Sequence, residues 1–312
     1  MTTKRISVVG AGHVGATCSQ LLAQKELAQE VILLDIVEGV PQGKGLDQWE
    51  SAPIEGFDSR VIGANSYEAA EGSEVFIVTA GIARKPGMSR DDLLKTNAGV
   101  MSSVSAEIKR VAPDSVVIVV TNPLDVMAQV VLEETEFPRE RVIGMAGVLD
   151  TARYRSFIAL ELGVSIEDIQ ALVLGGHGDT MVPLATYTSV SGIPLTQLLS
   201  QDRIDALVER TRTGGGEIVS YLKTGSAYYA PAAAAVQMTE SVVKNKRRIL
   251  PCAAWLQGEY SMSDIYLGVP CILGENGLEG IVEVELGDGE RAALERSAEH
   301  VRSTVSALKK LG

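Results

Sequence analysis

The chain has 312 residues, 46% of them hydrophobic and 22% charged, so it has the composition of a globular protein long enough for two lobes or one large α/β unit. Its formal net charge of -12 argues against nucleic acid and against an anionic membrane as partners. It has no apolar run long enough to cross a bilayer and no basic start followed by an apolar segment, so we expect neither a membrane span nor a signal peptide and place the chain in the cytoplasm.

The first part of the chain carries a strand, a glycine-rich turn and a helix in direct succession. Residues 4–9 predict the strand, and Asp35 follows a second apolar run. In such a unit Gly10 makes the tight turn, Gly12 lets the backbone approach a pyrophosphate, and Gly15 lets the helix pack on the strand. The helix N-terminus then offers N–H groups to the phosphates. The turn that we expect to bind a dinucleotide consists of Gly10, Ala11, Gly12, His13, Val14 and Gly15.

Asp35 stands where a carboxylate accepts hydrogen bonds from an adenosine ribose. It is followed by Ile36, and no arginine stands nearby to pair with a 2′-phosphate. Asp35 would also repel that phosphate, so the sequence favours NAD over NADP. A plain glycine-rich turn is the alternative interpretation.

Strands that are apolar on both faces alternate with helices through the first half of the chain. This pattern is typical of a parallel sheet covered by helices on both sides. We therefore predict a Rossmann-type NAD-binding domain over residues 1–147 and a C-terminal α+β substrate domain over residues 148–312. The predicted strands of the first half are 4–9, 31–34, 61–62, 75–79 and 115–120. The second half is predicted to contain helices at 202–222 and 231–243, strands near 250–257, 264–273 and 279–286, and a last helix with Leu294, Ala298, Val301, Val305 and Leu308 on one face.

Hydride transfer from an alcohol to NAD requires a base, and histidine is suited to this because it exchanges protons near neutrality. Of the three histidines, His177 lies between glycines after a predicted strand, whereas His13 falls in the phosphate turn and His300 among surface charges. We choose His177, with a structural loop histidine as the alternative. Asp150 is the expected carboxylate partner of the base, and Arg153, three residues later on the same helix face, is suited to clamp a carboxylate.

The loop at residues 81–90 carries Arg84 and Arg90 between glycine and proline residues. This composition suits a lid over the substrate, with one arginine polarising the reacting carbonyl and the other pairing with a second anion. Two solvated arginines on a surface loop are the alternative. The three cysteines, Cys18, Cys252 and Cys271, are too few and too scattered for a disulfide framework or a zinc knuckle, so we expect buried apolar side chains and no metal site.

Together these segments resemble the lactate/malate dehydrogenase family and, within it, the malate dehydrogenases that are lactate-dehydrogenase-like. The matching segments are GAGHVG (10–15), Asp35, TAGIARKPGMSRDDLLKTN (79–97), TNPLDV (121–126), GMAGVLDTARYR (144–155), LGGHGD (174–179) and DIYLGVPCILG (264–274). They span nearly the whole chain, and jointly they are highly specific.

The resemblance implies a role for each matched residue. It makes His177 the proton acceptor, Asp150 its partner and Arg153 the clamp on the substrate 1-carboxylate. It also implies that Arg90 polarises the C2 carbonyl and that Asn122 hydrogen-bonds the substrate. Contacts to NAD are implied for Asn97 and for the backbone of Val120, Thr121 and Asn122. For quaternary structure it favours a homo-oligomer, a tetramer rather than a dimer, and for metabolism a place in the tricarboxylic acid cycle.

Arg84 decides the expected substrate, because lactate enzymes of the family carry a neutral residue there and malate enzymes carry arginine. A methyl group beside Arg84 in a closed site would leave a buried cation unpaired, at a cost on the order of 3 kcal/mol. Malate and oxaloacetate supply the second carboxylate. A lactate or broad 2-hydroxyacid dehydrogenase, an NAD-dependent glycosidase that requires a metal, and a catalytically silent NAD-binding protein are the alternatives.

Overall fold

A computed structural model describes residues 3–82 and 89–311 of the chain. The prediction for Arg84 falls outside the described residues. Within these two ranges no helix is both long enough and apolar enough to cross a lipid bilayer.

The first half of the chain alternates strands with helices, as the apolar strand pattern predicts. The elements are β1 Arg5–Val9, α1 His13–Gln24, β2 Glu30–Leu34, α2 Val40–Glu50, α3 Ala52–Glu55, β3 Arg60–Ala64, β4 Val75–Val78, α4 Arg90–Val111, β5 Val116–Val119, α5 Leu124–Thr135 and β6 Val142–Gly144. Strand β6 was not predicted, because it is only three residues long and its apolar pattern is too short to recognise.

The second half begins with a long helix and ends with another. Its elements are α6 Gly147–Leu162, β7 Ile169–Gln170, β8 Val173–Leu174, β9 Val182–Pro183, β10 Ser189–Val190, β11 Ile193–Pro194, α7 Leu195–Leu198, α8 Gln201–Leu222, α9 Tyr229–Val243, β12 Arg248–Gln257, β13 Ser263–Gly274, β14 Gly277–Ile281 and α10 Asp288–Leu311. The last predicted strand therefore ends at Ile281 instead of residue 286. Beyond Ile281 the backbone N–H of Val282 donates to the carbonyl oxygen of Pro270, and that of Val284 donates to the Tyr260 hydroxyl. The regular hydrogen bonding between β13 and β14 therefore stops there.

Six parallel strands form the centre of the fold, in the order β6-β5-β4-β1-β2-β3. All four residues of β4 and of β5 are buried, so both faces of these strands must be covered. Two separate apolar clusters of buried side chains lie on the two faces. The strand order reverses between β1 and β4, and ligands of such sheets bind beyond the carboxyl ends of the strands at this point. The predicted fold class, a Rossmann-type sheet with a C-terminal α+β unit, is confirmed.

The antiparallel strands of the second half continue the same sheet, which has nine strands among the described residues. Strand β12 joins β6 through the pair Ala253 and Gly144 and then pairs with β13, which pairs with β14. One sheet therefore passes through both halves of the chain, and this ties them together more closely than a linker would. The boundary near residue 148 stays a prediction.

The last helix packs its predicted face on the rest of the molecule. Leu294, Ala298 and Val301 are buried, and Val305 packs partly buried against the core. The predicted burial of the cysteines is also confirmed, because Cys18, Cys252 and Cys271 are all buried.

Candidate active site

The glycine-rich turn after β1 has the geometry that a dinucleotide requires. Gly10 has φ +102°, a conformation that favours glycine. A Cβ on Gly15 would lie 1.8 Å from the carbonyl oxygen of Gly10, so only glycine lets α1 begin this close to the strand. At Gly12 a Cβ would meet nothing within 4 Å, which leaves space beside the backbone. No side chain caps α1, so its first N–H groups remain available to an anion.

Asp35 lies at the same edge of the sheet and faces the turn. Its carboxylate accepts hydrogen bonds from the backbone N–H of Ala11 at 2.7 Å and of Val37 at 2.9 Å. The Lys44 ammonium donates to the carbonyl oxygen of Ala11 at 2.6 Å. These contacts hold the carboxylate next to the turn while its remaining lone pairs stay free for ribose hydroxyls. The residues present therefore fit the adenosine half of a dinucleotide.

His13 lies at the first position of α1, where its side chain is exposed. Its ring stacks on Tyr228 with ring centroids 4.9 Å apart. Tyr228 immediately precedes α9, so this contact joins the glycine-rich turn to the second half of the chain. Val14, the next residue of the turn, packs partly buried against the core.

Asn97 connects the loops that follow β4 and β5. Its side chain is 1% exposed. The Asn97 amide donates to the carbonyl oxygen of Asn122 at 2.8 Å and accepts from the N–H of Ile82 at 2.9 Å. Thr121 adds a bond from its hydroxyl to the Ala80 carbonyl at 2.6 Å, and Val120 is buried below it. Asn97 thus sets the spacing of two loops at the predicted nicotinamide end, whereas its contact with NAD stays a prediction.

The predicted base and its predicted partner meet in the structure. His177 Nδ1 lies 2.9 Å from Asp150 Oδ2, and Asp150 is only 2% exposed. The second carboxylate oxygen of Asp150 accepts from Arg153 Nη1 at 3.3 Å, as the spacing of three residues on α6 predicts. With Nδ1 donating to Asp150, Nε2 is the nitrogen that remains for a substrate hydroxyl.

The environment of His177 favours its protonated form. Burial alone would lower the pKa of His177, but the Asp150 carboxylate, helped by Asp125, outweighs burial and raises the pKa above its ordinary value. Burial raises the pKa of Asp125 to about 6, although its hydrogen bond with the N–H of His177 works in the opposite direction. The negative charges of two carboxylates, Asp150 and Asp125, therefore act on the His177 imidazole.

The loop that carries His177 is anchored from three elements. Gly175 exchanges backbone hydrogen bonds with Gly268 of β13, and the N–H of Gly176 donates to the Ser297 hydroxyl of α10 at 2.9 Å. The N–H of His177 donates to Asp125 Oδ2 at 3.0 Å. The sequence reasoning did not assign Ser297 or Asp125 to the site, although Asp125 stands inside the matched segment TNPLDV.

Gly214 is a third residue that the sequence did not assign to the site. It lies inside α8, and a Cβ there would lie 2.3 Å from Cδ of Arg153. Glycine at this position makes room for the Arg153 side chain. The signal was present in the sequence, since three consecutive glycines at 214–216 stand inside a predicted helix that they weaken.

The remaining predicted residues, Arg90 and Asn122, lie in the segments that follow β4 and β5. Arg90 is the first residue of α4, which Ser89 and Asp92 cap reciprocally, and its side chain is exposed. Asn122 is exposed in the loop after β5, and its backbone carbonyl oxygen accepts from the Asn97 amide. Within the described part of the chain, neither residue forms a hydrogen bond with His177, Asp150 or Arg153.

Comparison with known proteins agrees with this geometry along the whole chain. The model of the lactate/malate dehydrogenase NAD binding domain matches residues 4–144, and the model of the lactate/malate dehydrogenase alpha/beta C-terminal domain matches residues 147–311. The malate dehydrogenase of Roseiflexus sp. (strain RS-1) is 54% identical over 305 residues, 98% of this chain and 98% of that protein.

Two solved structures have nearly the same fold. The malate dehydrogenase from Salinibacter ruber matches with a TM-score of 0.95 at 52% identity, covering 98% of both chains. The lactate dehydrogenase from Cryptosporidium parvum, solved with lactic acid and nicotinamide adenine dinucleotide, matches with a TM-score of 0.95 at 42% identity, covering 99% of both chains. The chain described here belongs to the lactate/malate dehydrogenase family.

Proposed function

We propose that this protein interconverts (S)-malate and oxaloacetate with NAD as cofactor, and that His177 is its general acid and base. The observation that carries the proposal is the hydrogen bond between His177 Nδ1 and the Asp150 carboxylate at 2.9 Å. The same carboxylate also accepts a hydrogen bond from Arg153. This pairing orients the imidazole and places a guanidinium beside it. A proton acceptor and a carboxylate clamp are the two groups that a 2-hydroxy acid needs.

Bound NAD accepts or supplies the hydride, and the residues of the chain handle the proton and the anions. Nε2 of neutral His177 takes the C2 hydroxyl proton during malate oxidation and returns it during oxaloacetate reduction. Asp150 stabilises the imidazolium in between, because its carboxylate is buried and hydrogen-bonded to Nδ1. Arg153 binds the 1-carboxylate through its planar fork.

Arg90 and Asn122 complete the proposed substrate contacts. Arg90, at the start of α4, polarises the C2 carbonyl oxygen as negative charge develops on it. Asn122 donates its side-chain amide to the substrate near the nicotinamide; its side chain is exposed, and Asn97 holds its backbone carbonyl oxygen. Both assignments rest on the matched segments of the family and on the positions of these residues beyond the carboxyl ends of the strands.

Arg84 supplies the preference for a dicarboxylic substrate. A second candidate is a lactate or broad 2-hydroxyacid dehydrogenase, because a lactate dehydrogenase shares this fold at 42% identity. Arg84→Gln should reduce kcat/KM for oxaloacetate by about 100-fold and raise it for pyruvate, since the variant removes the partner of the second carboxylate.

Lys85→Gln provides the matched control, because it removes one positive charge from the same segment and has no proposed contact with substrate. NADH oxidation is followed spectrophotometrically with oxaloacetate and pyruvate in turn, and NADPH is offered to test the choice of cofactor. An unchanged oxaloacetate to pyruvate ratio in Arg84→Gln would contradict the assignment.

The assembly and its place in the cell are proposed on resemblance. We expect a homo-oligomer, a tetramer built from dimers, acting in the cytoplasm within the tricarboxylic acid cycle. Exposed apolar side chains on α2 and the segment after it support an interface there: Leu46, Trp49 and Ile54 are 59%, 36% and 85% exposed. Light scattering coupled to gel filtration measures the mass, and a monomer at micromolar concentration would contradict this part of the proposal.

A further inference from the structure

We propose that Asp125 is a positioning residue for proton transfer: its carboxylate anchors the backbone of His177 and supplies a second negative charge that favours the imidazolium. The inference rests on the proposed role of His177 and goes beyond the pairing of His177 with Asp150. It concerns a buried carboxylate that no step of the proposed mechanism uses.

Asp125 is held on a rigid element beside the base. It lies in the first turn of α5, directly after the loop that follows β5, and it is 5% exposed. Its Oδ2 accepts from the backbone N–H of His177 at 3.0 Å. A Cβ on Gly176 would lie 3.3 Å from the same oxygen, so the loop passes close to the carboxylate. Any movement of Asp125 is therefore transmitted to the backbone that carries the imidazole.

The other oxygen of this carboxylate is unusual. Oδ1 is buried and has no hydrogen-bond partner among the described residues. A neutral amide or hydroxyl would satisfy the N–H of His177 equally well, and an ionised group with an unpartnered oxygen is costly to bury. Anchoring the loop therefore does not account for a carboxylate at this position, whereas an electrostatic action on His177 does.

The charges around Asp125 allow such an action. The charged groups that act on Asp125 are His177 from the loop and Asp150 from α6, and the neutral Ser297 hydroxyl of α10 accepts from the neighbouring Gly176 N–H. Arg153 is already paired with Asp150. The imidazolium of His177 is thus the cation that acts on Asp125 in this group, and a negative charge a few ångströms from a histidine raises its pKa by about one unit or more.

This electrostatic role determines how the reaction responds to pH. While Asp125 is ionised, His177 keeps its proton to higher pH, which favours oxaloacetate reduction and delays malate oxidation. When Asp125 takes a proton, which burial makes possible at about pH 6, the imidazolium loses that support. The two groups therefore titrate as a coupled pair.

The test separates charge from hydrogen bonding. Asp125→Asn keeps an oxygen for the N–H of His177 and removes the charge. The pKa of His177 is measured by NMR on protein with ¹³C-labelled histidine, with His177→Asn used to assign the signal, and kcat/KM is measured against pH in both directions. We expect the pKa of His177 to fall by about one unit in Asp125→Asn, the pH limb of malate oxidation to move down equally, and oxaloacetate reduction at alkaline pH to fall by up to tenfold.

Asp114→Asn is the control for loss of one charge, because the Asp114 side chain is 98% exposed and pairs with Arg141, which is not a site residue. It should leave the pKa of His177 unchanged. If Asp125→Asn also leaves this pKa unchanged, Asp125 is only a structural anchor and the proposal is wrong. A shifted NMR pKa with no change in the pH profiles would support the electrostatic coupling while contradicting the role of His177 in proton transfer.

The wild-type protein offers a second test should Asp125→Asn not fold. Coupling to Asp125 predicts that the His177 signal titrates over a broader pH range than a single independent group. A titration curve with the width of one independent proton would overturn the proposal.

Discussion

Gly214 offers the sharpest test of the carboxylate clamp, because the three atoms nearest to a Cβ at this position all belong to the Arg153 side chain. A Cβ at this position would lie 2.3 Å from Cδ and 2.9 Å from Nε of Arg153. These distances are shorter than any ordinary contact, and the atoms belong to the middle of the side chain, so its end cannot stay in place. In Gly214→Ala the guanidinium must move by about 1 Å, away from its contact with Asp150.

The expected loss follows from the bonds that Arg153 makes to an anion. Hydrogen bonds to charged groups contribute about 1.5–3 kcal/mol, so a displaced fork should lower kcat/KM for oxaloacetate roughly 10- to 100-fold. In its proposed role, Arg153 binds the substrate carboxylate in the ground state as well as in the transition state. A rise in KM should therefore account for most of the loss.

The neighbouring glycines of α8 supply a graded series of controls. At Gly215 a Cβ would lie 3.8 Å from Arg153 Nη2, an ordinary contact, and at Gly216 it would meet nothing within 4 Å. Gly215→Ala should therefore have a small effect. Gly216→Ala should keep full activity and gain about 0.5–1 kcal/mol of stability, because alanine is the better helix former.

The assay is steady-state reduction of oxaloacetate by each of the three variants, with urea unfolding to measure their free energies of unfolding. The reasoning would be refuted by an equal KM in Gly214→Ala and Gly216→Ala when both are folded. It would also be refuted if all three variants lost activity in parallel, since that would indicate a general disturbance of α8.

Two further substitutions test the charges described above. Asp150→Asn should lower the pKa of His177 and reduce kcat by on the order of 100-fold or more, because the imidazolium loses its buried partner. Both effects are measured from pH–rate profiles, and a profile like that of the wild type would contradict this prediction. The Lys246 ammonium, with Lys25 and Lys244, overcomes partial burial and lowers the pKa of Glu240 to about 2 from its ordinary 4.5. The resulting stability is present above pH 4.5 and is lost as the pH falls toward 2. Glu240→Gln should therefore lower the free energy of unfolding in urea by about 1 kcal/mol at pH 7, allowing for the exposed lysines, and should not change it near pH 2. An equal loss at both pH values would exclude the ion pairs as its cause.

Local features of the sequence were sufficient for much of this protein. The spacing of Gly10, Gly12 and Gly15 and the apolar strands identified the parallel sheet and its nucleotide turn, because these depend on steric limits within a few residues. His177 was recognisable because few histidines compete and glycines surround it. Asp150 and Arg153 were recognisable as a pair because three residues on a helix share one face.

Tertiary structure decided which groups act together across the chain. Asp150 reaches His177 over 27 residues and Asp125 over 52, and these distances close only because the strand ends meet at one edge of the sheet. Gly214 opposes Arg153 because α8 packs on α6, and the sheet continues from Gly144 to Ala253 because β12 adds to its edge. Neighbours along the sequence determined the helices and strands. Hydrogen bonds, buried charge and close packing depend on distance in space, so the packing of those elements determined which charges surround the imidazole.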